Sequence, residues 1–189
     1  NEIGKYLKSK KNYLINITST VNPGSSEKFI YNLEKKFKLI HGKNFILTYN
    51  PHLIALGSIY NDIINSDLVL IGSNNNKGFE ILKSIYKKMY KNNIDKLKYL
   101  NLKEAEISKI AINSYITTKI SYTNLISQIA DKEKNINSSK ILQTIGSDKR
   151  IGKKYLSLGA KYSGPCFPRD NLNFIKKLKN KKLNYSLLK

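Results

Sequence analysis

Tryptophan is absent from the chain, and methionine and cysteine occur once each, the cysteine at Cys166. A lone cysteine excludes an internal disulfide and fits a reducing, cytoplasmic setting. No segment approaches the roughly 18 consecutive apolar residues of a membrane-spanning helix, so no membrane partner is expected. Arginine is scarce too, present only at Arg150 and Arg169. That shortage bears on the net charge of +21. Such a charge invites a nucleic-acid reading, yet arginine is the preferred reader of bases and phosphates. The lysines are spread along the whole chain, and Asn, Ile and Tyr, which share AT-rich codons with Lys, are abundant with them. Compositional drift accounts for the charge, and nucleic acid is not expected as a partner, although a basic surface still attracts anionic metabolites. His41 and His52 are unclustered and far from Cys166 in sequence, which gives no metal-site spacing. Neither a G-x-G-x-x-G turn nor a G-x-S-x-G elbow appears. The start, "NEIGKYLKSKKNY", has no initiator Met and no apolar signal region, so the chain is expected to be an internal piece of a longer protein.

What is present is α/β patterning. "NYLINITSTV" (12–21) is rich in β-branched residues and ends at "NPGSS", which predicts a strand and a turn. Helical spacing of Phe29, Ile30, Leu33 and Phe37 follows, with Ser25 or Ser26 as the expected cap and Gly42 as the expected end. "NFILTYNP" and "DLVLIG" (67–72) read as further strands, and 78–90 as an amphipathic helix with Phe79, Leu82, Ile85 and Met89 on its apolar stripe. Residues 102–134 contain neither Pro nor Gly. They predict one helix of about 28 residues, roughly 40 Å long. Shorter helices are expected at "NSSKILQTIG" and "DKRIGKKYL", and a last one from a capping Asp170 onward.

Four groups of residues can carry chemistry. Cys166 lies in "SGPCFPRD", between two prolines, just before an expected helix and near Arg169. A helix N-terminus and a cation both stabilise a thiolate, the nucleophilic form. The competing reading is a buried, inert cysteine. Lys109 and Asn113, four apart on the long helix, face the same way and can hold an oxyanion and a water. On spacing alone, a solvated lysine on a polar face is the commoner case. "ITSTVNPG" puts hydroxyls at a strand end, where α/β sites form, and the same residues are ordinary turn formers. His41 is expected to sit at a helix C-terminus, and His52 follows a strand and a proline.

The order of these segments resembles the nucleotide-sugar dehydrogenases, the family of UDP-glucose 6-dehydrogenase and its UDP-N-acetylmannosamine and GDP-mannose relatives. "STVNPG" (19–24) is similar to the family's S-T-V-P-P-G. "YNPHLIALGSIYNDIINSDLVLIG" (49–72) is similar to N-P-E-F followed by G-S and D-x-V-x-I-G. "EAEISKIAINSYITTKISYTN" (104–124) resembles the A-E-x-x-K-x-x-x-N helix. "SDKRIGKKYLSLGAKYSGPCFPRDN" (147–171) resembles D-x-R-I-G and the G-G-x-C-F-P-K/R-D signature.

The resemblance implies a fold and a chemistry. Residues 1–98 would be the second half of a Rossmann-type NAD domain, and 99–189 a long connector helix opening an all-α central domain that builds a homodimer. The cofactor would be NAD and the substrate a nucleotide sugar such as a UDP-sugar. Its C6 alcohol would become a carboxylate by a four-electron oxidation through a cysteine thiohemiacetal and thioester. The glycine-rich NAD turn would lie upstream of this chain. Such sugar acids usually feed surface polysaccharides. Cys166 would be the nucleophile and Lys109 the oxyanion stabiliser. Asn113 and Thr20 would position the substrate oxygen or water, and Asp170 would move protons or orient the lysine. Arg150 would reach the neighbouring subunit's substrate. Tyr155, Tyr162 and Gly164 would line the nucleotide-sugar loop, and Ser19, Thr20 and Arg169 would face the cofactor. The chain departs from the family where His52 replaces an acid–base Glu and Leu53 a Phe, where Lys161 and Ser163 replace glycines, and where Leu125 replaces a Glu. These departures leave an impaired, sugar-binding relative as the alternative.

Overall fold

The computed structural model describes residues 2–7, 12–55, 57–91, 93–159, 162 and 164–188. Lys161 and Ser163 therefore lie outside the described residues. The chain divides into two compact units, Asn1–Lys109 and Ile110–Lys189.

The first unit is a four-stranded sheet covered on both faces by helices. In order it contains α1 (Glu2–Leu7), β1 (Tyr13–Ile17), α2 (Ser25–Phe37), β2 (Phe45–Tyr49), α3 (Ile59–Ile64), β3 (Val69–Gly72), α4 (Asn76–Met89), β4 (Leu97–Leu100) and the first turns of α5 (Leu102–Lys132). The spatial order is β1-β2-β3-β4. The pairs β1/β2 and β3/β4 are parallel, each built as a βαβ unit, and β2 meets β3 antiparallel through Tyr49 and Gly72. The α/β pattern in the sequence is borne out, with one antiparallel junction in a mostly parallel sheet.

The two central strands explain their own composition. Every residue of "FILTY" and "VLIG" is buried, as expected of strands with helices on both faces. Alternate side chains of β2 (Phe45, Leu47, Tyr49) pack with Leu7, Leu33, Leu39, Leu102 and Ala105. Val69 and Ile71 of β3 pack with Leu82, Tyr86 and Tyr90. Gly72 lets α5 approach the sheet, because a Cβ there would stand 2.6 Å from the Ala105 Cβ.

Local expectations fail in informative places. Neither Ser25 nor Ser26 caps α2 with its side chain; Gly24, at φ 96°, is the residue at the cap position, and Lys38 at φ 55°, not Gly42, ends the helix. On α4 the buried positions are Gly78, Leu82 and Tyr86, whereas Ile85 is exposed. The segment 148–156 is not a helix, since Gly152 and Tyr155 adopt positive φ there. Asp170 does not cap the last helix, which begins four residues earlier as α7 (Cys166–Asn180). The short strand β4 gave no sequence signal because its central Lys98 and Tyr99 are exposed.

His41 is not a dipole partner of α2, which ends before it. It packs edge-on against Phe45, and its Nε2 accepts the Leu47 N–H at 3.1 Å. Burial pushes its pKa down, against a smaller upward pull from Glu34. The unfolded chain takes up this proton near pH 6.5, where the folded chain resists it. The stability this group contributes is complete above about pH 6.5 and is lost as pH falls from there through the lower folded value. Melting midpoints should therefore decline between about pH 7 and pH 5, less so in His41→Gln. Identical profiles for the two proteins would contradict this.

The second unit is helical. It holds the remainder of α5, α6 (Ser138–Ser147), α7 and a final 3-10 turn at Ser186–Leu188. Asn137 caps α6 by accepting the Lys140 N–H at 3.0 Å. Beside Ile110, Leu142 and Leu156, its buried residues are largely polar: Asn113, Ser114, Thr117, Thr123, Asp170 and Asn171. Such a polar interior requires internal hydrogen bonds. Among the described residues no helix is long and apolar enough to cross a membrane.

Candidate active site

The helix α5 opens with a reciprocal cap. Asn101 Oδ1 accepts the Glu104 N–H at 2.9 Å, and Glu104 Oε2 accepts the Asn101 N–H at 2.9 Å. One turn on, Lys109 is only 7% exposed, so a solvated lysine does not describe it. Its Nζ donates to the His52 carbonyl at 3.1 Å. That carbonyl is held by the loop after β2. Asn50 donates from Nδ2 to the Leu70 carbonyl at 2.7 Å and accepts from the Tyr86 hydroxyl at 2.6 Å. Burial pushes the Tyr86 phenol up from its usual range, partly offset by that bond to Asn50, so it stays a donor. The His52 imidazole itself sits on an exposed residue. Ser19 and Thr20 follow β1, exposed and half-buried respectively.

In the second unit the signature cysteine is the first residue of α7 and is exposed, not the buried hydrophobe of the alternative reading. Gly164, at φ 83°, turns the chain into it. Pro168 falls in the first helical turn, where a missing N–H costs nothing. Asp170 is fully buried. It accepts Asn113 Nδ2 at 2.7 Å, Arg169 Nε at 2.9 Å and Arg169 Nη2 at 2.9 Å. Next to it, buried Asn171 donates to Thr117 Oγ1 at 2.9 Å and to the Tyr162 hydroxyl at 3.4 Å.

The 148–156 segment is pinned to α5. Lys119 Nζ donates to the Ile151 carbonyl at 3.1 Å, and Thr123 Oγ1 to the Tyr155 carbonyl at 3.2 Å. Arg150 forks onto Asp148, with Nη2 2.6 Å from Oδ2 and Nε 3.0 Å from Oδ1. Those bonds lower the Asp148 pKa. The guanidinium remains outward, with 88% of its side chain exposed.

The structure thus brings Lys109 to the His52 backbone in the first unit, and Asn113, Asp170 and Arg169 together in the second. It reveals Glu106, Asn50, Tyr86, Thr117 and Asn171 as buried polar partners that the sequence reading passed over. Glu106 was visible only as the E of A-E-x-x-K, and the others had no local signal.

A helix-covered, mostly parallel sheet followed by a helical unit is the organisation of a Rossmann-type domain joined to an α-helical one. Residues 1–90 match the NAD binding domain, and residues 103–189 the central domain, of the UDP-glucose/GDP-mannose dehydrogenase family. A UDP-glucose 6-dehydrogenase of Rickettsia typhi is 32% identical over 188 residues, covering 100% of this chain and 41% of the relative. The solved UDP-glucose dehydrogenase of Pyrobaculum islandicum superposes with TM-score 0.85 at 26% identity, over 98% of this chain and 42% of that one. The UDP-D-ManNAc dehydrogenase of Pyrococcus horikoshii shares the fold, with TM-score 0.77 at 20% identity, over 100% of this chain and 44% of that one. The chain belongs to the UDP-glucose/GDP-mannose dehydrogenase family, and it spans about two fifths of the length of these relatives.

Proposed function

We propose that the chain is part of an NAD-dependent nucleotide-sugar 6-dehydrogenase that oxidises a UDP-glucose-like substrate to its uronate in a reducing, cytoplasmic compartment. Residues 1–98 serve as the later half of the NAD domain, and 99–189 as connector helix and central domain. The observation that carries this reading is the exposed Cys166 opening α7, with buried Asp170 behind it fixing Asn113. A reactive thiol needs exposure and a defined mounting; Cys166 is exposed and is the first residue of α7.

Cys166 Sγ adds to the C6 aldehyde carbon, forming a C–S bond that retains the intermediate. After the second oxidation water cleaves the thioester, the carboxylate leaves, and a proton returns to Sγ. Lys109 Nζ stabilises the oxygen that gains charge. Asn113 spends one amide N–H on Asp170 and offers the other to substrate oxygen or water. Arg150 is presented outward for a neighbouring subunit's substrate, while Tyr155, Tyr162 and Gly164 shape the sugar loop. His52 stands in for the family's acid–base Glu, with an imidazole in place of the carboxylate.

The cofactor fits these residues in part. Ser19 and Thr20 lie at the carboxyl end of β1, where α/β sheets bind ligands, and neither hydroxyl bonds another described residue. The Gly24 and Ser26 N–H groups of α2 are already bonded to Glu106, so this helix offers no phosphate cradle. Ser19 and Thr20 would face NAD, with Arg169 as a further proposed cofactor residue, and NAD would supply a hydride acceptor for each oxidation. The full-length protein given NAD⁺ and UDP-glucose should produce NADH; no turnover with any nucleotide sugar would sink the reading.

A homodimer through the central domain is part of the same proposal. On α5, exposed Tyr115, Tyr122, Leu125 and Ile129 recur at seven-, three- and four-residue spacing, the pattern of a helix seam. Leu125→Asp in the full-length protein should shift sedimentation from dimer toward monomer. An unchanged dimer would place the interface elsewhere.

A further inference from the structure

Glu106 has no task in the chemistry above, yet it is fully buried. Its Oε1 accepts the Ser26 N–H at 2.8 Å, and its Oε2 accepts the Gly24 N–H. Both amides belong to the start of α2, which has no side-chain cap of its own. A carboxylate on another helix, 80 residues on in sequence, satisfies them instead. Burying a carboxylate is costly unless such bonds compensate it, and an apolar residue here would leave two N–H groups unpaired. The neighbouring Lys103–Glu27 pair, at 2.9 Å, is about half exposed, and such pairs hold little.

The placement gives the contact a consequence. Glu106 stands three residues before Lys109 on α5, on the same side of the helix. Thr20 stands four residues before Gly24, in the loop that enters α2. One side chain therefore ties the hydroxyl-bearing loop to the helical turn that carries the buried ammonium. We propose that Glu106 is a positioning residue, a clamp that fixes the Ser19–Thr20 loop relative to Lys109. For its effect on turnover the proposal rests on the dehydrogenase reading. Glutamine keeps one acceptor oxygen and sets an NH₂ against the second N–H. Aspartate keeps the charge and is one methylene shorter.

The test uses the full-length protein, with Glu106→Gln and Glu106→Asp beside the parent. Hydrogen exchange over 22–28 should speed up by about tenfold or more in Glu106→Gln, while β2 exchanges as in the parent. In the same variant kcat should fall about tenfold or more with KM for the nucleotide sugar within about twofold, and aspartate should restore part of both. Unchanged exchange would overturn the clamp. A loosened loop with parental kcat would leave Glu106 a purely structural group and overturn its positioning role. If the parent oxidises no nucleotide sugar, the dehydrogenase reading fails by itself. Exchange then decides the clamp: selective acceleration upholds it, and no change removes it.

Discussion

Replacing Cys166 with serine in the full-length protein is expected to cut uronate formation by about a thousandfold or more, with nucleotide-sugar affinity within about twofold. Serine matches cysteine in shape, but its hydroxyl is not a nucleophile at neutral pH without a base beside it. Stability should shift by less than about 0.5 kcal/mol, because the residue is exposed and packs into no core. The variant separates capture from binding. Undiminished uronate production would remove the covalent intermediate from the account, and lost binding would make Cys166 a sugar contact.

Asp170→Ala is expected to damage stability and turnover together. The carboxylate is fully buried and accepts from Asn113 and Arg169. Its loss leaves the Asn113 amide without its partner, at about 1–3 kcal/mol. The Arg169 side chain is 50% exposed and can turn to water, so the ionic part is discounted for screening. A total of about 2–4 kcal/mol in denaturant unfolding follows, near the lower edge of broken buried pairs. The kcat should drop about a hundredfold as Asn113 loses its orientation. A variant as stable and active as the parent would show that the Asn113–Asp170 contact organises nothing.

Particular residues show how much of this was legible. The strands "FILTY" and "VLIG" announce themselves because burial on both faces favours nearly continuous apolar runs, broken in the first only by Thr48. The long helix announces itself by the absence of Pro and Gly, and it runs from Leu102 to Lys132. What escaped depends on backbone conformation or on distant partners. Left-handed Lys38 and Tyr155 are not glycines, so neither the end of α2 nor the irregular 148–156 segment could be read from punctuation. The serines at 25 and 26 looked like caps, but the helix already starts at Ser25 with Gly24 at the cap position, and Glu106 takes the Gly24 and Ser26 N–H groups from afar. Lys109 and Asn113 looked like a solvated face by spacing alone. Their burial comes from the His52 loop and from Asp170, each 57 residues away. Cys166 stood out for its setting between two prolines, and its exposure agrees with a reactive thiol.

The most direct test of the four-electron chemistry is stoichiometric: NADH formed per uronate produced, using the full-length protein and a panel led by UDP-glucose and UDP-N-acetylmannosamine. Two NADH per uronate, with no free aldehyde, is the result this account predicts. One NADH with aldehyde released into solution would contradict it, since Cys166 would then capture nothing.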